Sequence, residues 1–207
     1  MASPVITKLK RDFYLRPTVV VARELLGCYL CRQLRNELLV GRIVEVEAYP
    51  GIDDPASHSF NGQTRRNATM FREGGRLYVY FVYGMHFCAN VVTGAEGTGA
   101  AVLLRALEPV RGIKTMERNR FPATSKDMAR PAVHGLCNGP AKLCSALKIT
   151  SDEDGTDLCG KEMWVGRGEP CGDPVAVSRR VGIRKGVSRH WRFFLKGNPF
   201  VSAGRPA

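Results

Sequence analysis

The sequence predicts an α+β fold with one domain built around a largely antiparallel β-sheet. Strand-like apolar runs follow one another through short turns that contain glycine, a pattern typical of hairpins. Helical spacing is restricted to a few segments, and no internal repeat, low-complexity linker or change in composition marks a domain boundary. We therefore expect one compact domain over residues 1–207, in which residues 1–12 form a flexible N-terminal arm.

The N-terminal half begins with a helix over residues 17–27, because Pro17 favours a first helical turn and Gly27 favours a helix end. Apolar and glycine-rich runs then predict strands 28–34 and 38–49, a loop 50–63, a helical turn 64–71, and strands 77–83, 86–93 and 100–106. The C-terminal half has predicted helices over 109–120 and 138–149, with Asn138 as the N-cap of the second. Short strands follow, including 179–183 and 192–197.

The chain is strongly basic, with 31 Lys and Arg, 19 Asp and Glu and a formal net charge of +12. No acidic residue follows Asp173, whereas this C-terminal stretch contains Arg179, Arg180, Arg184, Lys185, Arg189, Arg192, Lys196 and Arg205. A second group consists of Arg65, Arg66, Arg72 and Arg76. A solvated surface would explain such clusters, but two of them in one chain favour a polyanionic partner such as nucleic acid.

The seven cysteines lack the spacing of a zinc site. Cys28 and Cys31 form a C-x-x-C without a second pair, so we expect reduced structural thiols and no metal. No apolar run reaches the roughly 20 residues of a membrane-spanning helix. The N-terminus also lacks the apolar segment of a secretory signal. We therefore expect an intracellular protein without a membrane partner.

Strand alternation in "GRIVEVEAYPG" (residues 41–51) places two carboxylates on one face. The two predicted faces carry Val44, Val46 and Ala48 on one side and Ile43, Glu45, Glu47 and Tyr49 on the other. A carboxylate beside an apolar wall loses hydration, so its pKa rises and it becomes a better proton acceptor. A solvent-facing side of the sheet would give the same pattern. Glu47 ends the strand, where a site can be assembled.

The stretch "RLYVYFVYGMHFCAN" (residues 76–90) predicts a hairpin with aromatic side chains at its tip. Tyr78 and Tyr80 share one face, whereas Tyr83 stands against the turn at Gly84 with Met85 beside it. In a basic protein, an apolar tip suits insertion between base pairs, and Tyr80 suits stacking against a base. Tyrosines that merely cover the core would explain the same segment.

Several long segments in conserved order with unusual combinations of residues resemble the alkyladenine DNA glycosylase family, also called methylpurine or 3-methyladenine DNA glycosylase. These segments are "GRIVEVEAYPGIDDPASHS", "RRNATMF", "RLYVYFVYGMHFCANV", "AVLLRALEP" and "LCNGPAKLCSAL". The resemblance extends from about residue 17 to residue 201 and implies a curved, mainly antiparallel sheet with flanking helices and a protruding, DNA-intercalating hairpin. His86 is a departure, since some relatives carry another aromatic residue there.

The resemblance also implies a role for individual residues. Tyr83, with Met85 beside it, would fill the gap left by a flipped nucleotide. The walls of the base pocket would be Tyr49, His58 and Tyr80, and Asn90 would disfavour the exocyclic amine of guanine. Glu47 would activate a water for attack on the sugar, and Arg105 would hold Glu47 and that water. Candidates for phosphate contacts are Arg65, Arg66, Arg179 and Arg184.

The implied activity is that of a monofunctional glycosylase of base excision repair. Its substrates would be alkylated or deaminated purines in double-stranded DNA, of the class of 3-methyladenine, 7-methylguanine, hypoxanthine and etheno-adenine. We expect a monomer without cofactor or metal, associated with a bacterial nucleoid or a eukaryotic nucleus. None of the predicted site residues is a lysine that could form a Schiff base with the sugar. We therefore expect removal of the base without strand cleavage, which leaves an abasic site.

Two other functions fit parts of the pattern. A non-catalytic protein that binds damaged or single-stranded nucleic acid would use the same basic surface and tyrosines. A metal-dependent nuclease would use carboxylates as ligands, namely Glu45, Glu47, Asp53 and Asp54, although their spacing matches no recognised metal motif.

Overall fold

The computed structural model describes residues 5–122, 133–168 and 172–204. The strands in these ranges are β1 (Thr7–Lys8), β2 (Tyr29–Leu34), β3 (Glu37–Tyr49), β4 (Leu77–Val82), β5 (His86–Thr93), β6 (Ala100–Arg111), β7 (Met163–Arg167), β8 (Val175–Ser178) and β9 (Arg192–Leu195). The α-helices are α1 (Arg11–Tyr14), α2 (Thr18–Leu25), α3 (Ile113–Arg120) and α4 (Pro140–Ala146). Short 3₁₀ helices span Ala68–Phe71, Val133–Gly135 and Ser151–Glu153.

The strands form one open, curved sheet in the order β1-β7-β2-β3-β6-β5-β4, and the pairings between these described strands are antiparallel. The prediction of an α+β fold with a mainly antiparallel sheet is therefore confirmed. One edge of β3 changes partner along its length: it pairs with β2 over residues 37–42 and with β9 over residues 45–47. This change brings the C-terminal strand beside Glu45 and Glu47.

A β-bulge in β3 changes which side chains point toward the core on either side of it. Its pairing with β6 shifts register between Ile43 and Glu45 and again between Glu45 and Val46. Ile43 consequently joins the main core with Val46 and Ala48, so its predicted place on the glutamate face is wrong. Val44 packs instead in a separate cluster with Leu195. An extra residue in one strand reverses the alternation beyond it, and a simple period of two does not reveal this.

The helices pack on the core side of the sheet. Helix α2 lies against β3, and α4 lies against β5 and β6. The predicted helix at 17–27 is confirmed as α2, whose buried side chains Val21, Ala22 and Leu25 have helical spacing. Gly27 follows the helix with a φ of 81°, a left-handed conformation that favours glycine.

Other predicted elements have different bounds or a different character. Strand β6 continues to Arg111, so α3 begins only at Ile113 and not at residue 109. The N-cap of α4 is Gly139, whereas Asn138 accepts a hydrogen bond from Lys142 Nζ. Residues 179–183, predicted as a strand, form a loop in which extended β-structure is limited to a bridge at residue 181.

An acidic segment near residues 150–157 supports the edge strand β4. The Asp154 carboxylate accepts hydrogen bonds from Val79 N at 2.8 Å and from Thr69 Oγ1 at 2.7 Å. The Leu77 amide and carbonyl bond to the backbone of residues 156 and 155. The segment therefore covers the first part of an otherwise open edge and anchors the base of the β4–β5 hairpin.

The N-terminal residues are attached to the sheet from Thr7 onward. Strand β1 pairs with β7, and Leu9 is buried, so the described part of the expected flexible arm is anchored to the fold. The described cysteines are free thiols, at positions 28, 31, 88, 137, 144 and 159, and Cys171 lies outside the described residues. Among the described helices, none has the length and apolar character needed to cross a membrane.

Candidate active site

The end of β3, the β4–β5 hairpin and the loop after β8 enclose a cavity of ≈ 480 Å³. Its wall combines aromatic and apolar side chains with a few polar groups, the composition typical of a ligand pocket. The predicted site residues in this wall are Tyr49, His58, Arg66, Tyr80, Tyr83, Asn90, Arg105 and Arg184. Glu47 lies directly behind it, in contact with Tyr49 and Arg105. Met85, Arg65 and Arg179 do not line the cavity.

Glu47 is fully buried, with no exposed surface, so its solvent-facing interpretation is wrong. Its carboxylate accepts hydrogen bonds from Val181 N at 2.7 Å and Tyr49 Oη at 2.9 Å, and Arg105 Nη1 lies 3.3 Å away. Burial raises the pKa of Glu47 above its ordinary value, and the Arg105 charge and the two hydrogen bonds only partly offset this effect. An ionised carboxylate offers about four lone-pair sites. These three donors therefore leave room for a further one.

Glu45 has more donors than Glu47 and a larger positive charge around it. Arg105 Nε and Arg192 Nε each lie 2.7 Å from Glu45 Oε1, and Ser202 donates through its amide at 2.6 Å and its hydroxyl at 2.9 Å. Burial raises the pKa of Glu45, but Arg105, Arg192 and the Ser202 amide together lower it below the ordinary value. Neither Arg192 nor Ser202 is predicted as a site residue, and both are more than 140 residues from Glu45 along the chain.

The aromatic residues of the cavity contact one another. The His58 and Tyr80 rings meet edge to face with centroids 4.5 Å apart, and His58 Nδ1 lies 3.0 Å from Tyr78 Oη. The His58 side chain remains exposed toward the cavity opening, but partial desolvation, with a smaller effect of the Arg66 charge, lowers its pKa. Tyr78, whose pKa burial raises to about 12, thus fixes the His58 ring, a role that the sequence did not indicate.

Asn90 lies in β5 at the bottom of the cavity and is buried. Its Nδ2 donates to the Tyr78 carbonyl at 3.0 Å, and its cross-strand neighbour in β6 is Leu103, which also lines the cavity. The hydrogen bond fixes the orientation of the side-chain amide. A polar group held rigidly in a cavity wall discriminates between ligands by the hydrogen-bonding groups on their edges.

The tip of the β4–β5 hairpin exposes apolar side chains. Tyr83 and Met85 are 84% and 69% exposed, and Phe81 is also exposed. Tyr83 has a φ of 53° and Gly84 a φ of 68°, so both central residues of the turn are left-handed. A tyrosine in this conformation is uncommon and carries strain, as is often found at functional sites. The predicted turn at Gly84 is confirmed.

Basic side chains border the cavity opening. Arg66, Arg184 and Lys185 line it, and Arg66 Nη2 donates to the Phe81 carbonyl at 3.1 Å. Arg65 and Arg179 are exposed but lie outside the lining. Lys185 is exposed as well, and it is a lysine at the cavity opening that the sequence did not indicate.

Two arginines of the C-terminal basic stretch are buried and do not contribute to a positive surface. Arg192 binds Glu45, and Arg180 forms a bidentate ion pair with Asp54, in which both partners are fully buried. From the sequence alone, Asp54 is only a candidate metal ligand. The part of the chain that the structure describes contains no group of three or more His, Cys, Asp or Glu arranged for a metal ion. Glu45, Glu47 and Asp54 are engaged by guanidinium groups instead.

Comparison with known proteins shows the family of the chain. The family model described as methylpurine-DNA glycosylase (MPG) matches residues 12–199. A putative 3-methyladenine DNA glycosylase of Alkaliphilus oremlandii is 44% identical over 199 residues, which cover 94% of this chain and 98% of that protein. The human DNA-3-methyladenine glycosylase is 44% identical over 208 residues, covering 95% of this chain and 68% of the human protein. The chain therefore belongs to the methylpurine-DNA glycosylase family.

Proposed function

We propose that this DNA glycosylase excises alkylated and deaminated purines from double-stranded DNA by hydrolysis with a water activated by Glu47. The observation that carries the proposal is a fully buried carboxylate with a raised pKa behind a cavity of ≈ 480 Å³, which is large enough to admit a base. The substrate class would be 3-methyladenine, 7-methylguanine, hypoxanthine and etheno-adenine. The product would be an abasic site, as expected of base excision repair.

The cavity suits an extruded purine. Tyr49, His58 and Tyr80 would enclose the base, and tyrosine faces attract the positive charge of an alkylated purine, most strongly where water is excluded. Asn90, fixed by its bond to the Tyr78 carbonyl, would oppose the exocyclic amine of guanine. A base inside the duplex is out of reach, so the nucleotide must be flipped, and a damaged or mispaired base costs less to unstack.

The hairpin tip would occupy the space that the flipped nucleotide leaves. Tyr83, with Met85 beside it, would insert from the minor groove as an apolar wedge. Around the opening, the basic side chains proposed to contact phosphates are Arg65, Arg66, Arg179 and Arg184. Such contacts orient the duplex and make binding depend on salt concentration.

In the reaction, ionised Glu47 would take a proton from water while the oxygen attacks C1′ of the sugar and the bond to the base breaks. The positive charge that develops on the sugar is also favoured by a nearby carboxylate. Arg105 would hold Glu47 in place through its 3.3 Å contact. Schiff-base lysines require a deprotonated amine, which burial promotes, whereas Lys185 is exposed at the cavity opening. This argues for hydrolysis without strand cleavage.

A labelled duplex with one hypoxanthine opposite thymine tests the proposal. The wild type, Glu47→Gln and the exposed control Glu96→Gln are incubated with it in EDTA, and strand breaks are measured before and after alkali. We expect breaks only after alkali with the wild type and the control, and an excision rate about 10²–10⁴-fold lower for Glu47→Gln.

Full activity of Glu47→Gln would contradict the role of Glu47 as the base. Strand breaks without alkali, together with trapping of a covalent complex by borohydride that Lys185→Ala abolishes, would assign a lyase reaction. Binding without excision on this duplex and on methylated DNA would favour the non-catalytic function.

A further inference from the structure

The ion pair between Arg180 and Asp54 lies beside the active site without lining its cavity. Both side chains have no exposed surface, and Arg180 Nη2 lies 2.8 Å from Asp54 Oδ1 while Nη1 binds the other carboxylate oxygen. The guanidinium also donates to the Ala48 carbonyl at 3.0 Å. This single side chain thus joins the loop after β3, the end of β3 and the loop after β8.

Arg180 is also stacked between two aromatic rings. Its guanidinium carbon lies 4.5 Å from the ring centroid of Tyr49 and 5.2 Å from that of Trp191. Tyr49 lines the cavity and Arg180 does not, so the guanidinium lies behind the Tyr49 ring as seen from the cavity. A planar cation that stacks and binds a carboxylate bidentately is a geometry that arginine provides and lysine does not.

The residue after Arg180 makes the shortest contact to Glu47. The Val181 amide donates to Glu47 Oε1 at 2.7 Å, and it belongs to a loop without regular secondary structure around it. Since residues 180 and 181 share a peptide bond, anchoring of the Arg180 side chain restricts where the Val181 N–H can lie. The contacts that Arg180 makes behind the Tyr49 ring therefore fix where the loop meets Glu47.

We propose that the Arg180–Asp54 ion pair is a positioning unit of the glycosylase, which holds the Val181 amide on Glu47 and the Tyr49 ring against the cavity and so sets the pH above which Glu47 acts as a base. The inference rests on the proposed role of Glu47. Arg180 acts through Val181 and Tyr49 and does not itself reach the reacting atoms.

Stability alone does not explain this ion pair. Apolar replacement of a buried pair is often neutral or stabilising. Within the described part of the chain, moreover, the buried Arg180 Nε finds no hydrogen-bond acceptor. A group retained only for folding would gain from a partner at that atom. Alignment of the Val181 amide and the Tyr49 ring gives the ion pair a role beyond stability.

The sign of the pH effect follows from the donors on Glu47. The charged and titratable groups around Glu47 are Glu45 and Tyr49 from β3, Tyr80 from β4 and Arg105 from β6. Arg192 of β9 binds Glu45, and Arg180 of the loop after β8 lies over the Tyr49 ring. Replacement of Arg180 directly changes the environment of only Tyr49 and Val181 among Glu47's neighbours. The Val181 hydrogen bond lowers the pKa of Glu47, so its loss raises that pKa further and moves the onset of activity to higher pH.

Single-turnover excision of hypoxanthine, measured from about pH 5.5 to about pH 9, tests the inference. The variants are Arg180→Lys and the double variant Asp54→Leu/Arg180→Met, which removes both charges and supplies a folded protein should the lysine variant not fold. We expect the acidic limb, on which the rate rises with pH, to move up by about one pH unit, with a roughly tenfold slower reaction below it and recovery of the rate at high pH.

The matched control is Arg32→Lys, which alters another largely buried ion pair that does not line the cavity, 2.5 Å from Glu153. Its profile should not move. If the Arg180 variants lose activity by the same factor at every pH, or keep the wild-type limb, the inference is wrong while the role of Glu47 stands. If Glu47→Gln retains full activity, the proposed function itself fails.

Discussion

Glu45 and Glu47 stand two residues apart on one face of β3, and both are fully buried, yet their pKa values move in opposite directions. Glu45 faces two guanidinium groups and two donors of Ser202. Glu47 faces one guanidinium at a longer distance, one amide and one phenol. Burial is therefore common to both, and the number and charge of the donors decide the direction.

In the proposed mechanism, this difference separates a structural carboxylate, Glu45, from a reactive one, Glu47. Glu45 is stabilised as an anion and fixes Arg105, whereas burial raises the pKa of Glu47, which is the direction that favours a general base. Arg105 contacts both groups, through Nε and Nη1, and so couples them. Residues 45–47 of β3 would thus include both the structural carboxylate and the catalytic one.

The largest effect on this comparison is expected from Glu45→Gln. It leaves Arg105 and Arg192 without their shared anion, and we expect the free energy of unfolding to fall by about 3 kcal/mol. Glu47→Gln should change it by less than about 1 kcal/mol, because a neutral amide removes a charge that burial disfavours. Urea unfolding followed by circular dichroism measures both. Equal losses would show that the two carboxylates share one structural role.

The pH dependence of these differences gives a smaller but more specific effect. The lowered pKa of Glu45 means that its stabilisation is present above the unfolded-state pKa and is lost as pH falls through the folded value. The raised pKa of Glu47 means that its contribution is present below the unfolded-state pKa and is lost as pH rises through the folded value. At neutral pH the wild type should thus be more stable than Glu45→Gln but not more stable than Glu47→Gln.

The differences in stability between the wild type and each of the two variants, Glu45→Gln and Glu47→Gln, should disappear in acid. Thermal unfolding of the three proteins across the acidic range measures this, and a gap between the wild type and Glu45→Gln that persists below the folded pKa of Glu45 would contradict the assignment.

The smallest effects come from single neutral donors. Ser202→Ala removes one hydroxyl bond to Glu45, and we expect a loss of about 1 kcal/mol in stability with excision unchanged. Tyr49→Phe removes the phenol that donates to Glu47, so the acidic limb of the excision profile should move to higher pH by less than about one pH unit. Thermal unfolding and single-turnover profiles measure the pair. Loss of excision in Ser202→Ala at full stability would extend the reactive site to Glu45.

Local patterns in the sequence predicted the sheet and the hairpins. Alternating runs and the glycine at the turn predict β4 and β5 with Tyr83 at the tip, and Pro17 and Gly27 delimit α2. The pairing of Glu45, Glu47 and Tyr49 on one face also follows from a period of two. These features depend on residues near one another along the chain, which is where such patterns carry information.

The partners of the carboxylates could not be predicted this way. Arg192, Ser202 and Arg180 reach Glu45 and Asp54 from 126 to 157 residues away, and only the fold brings them together. Arginines in a basic stretch suggest a positive surface. No local sequence pattern indicates that one of them is buried in an ion pair with a distant carboxylate. The bulge that turns Ile43 into the core is likewise a feature of the pairing with β6. The family resemblance supplied the site residues that local patterns left open.

The left-handed turn at Tyr83 and Gly84 has a thermodynamic consequence for DNA binding. A residue held by its turn has already lost most of its conformational freedom when the protein folds, so little entropy remains to be lost on contact with the duplex. The backbone strain at Tyr83 is a cost of folding, whereas unstacking of the bases is a cost of binding. With the two costs divided in this way, the tip would enter DNA, as proposed above, without first having to become ordered.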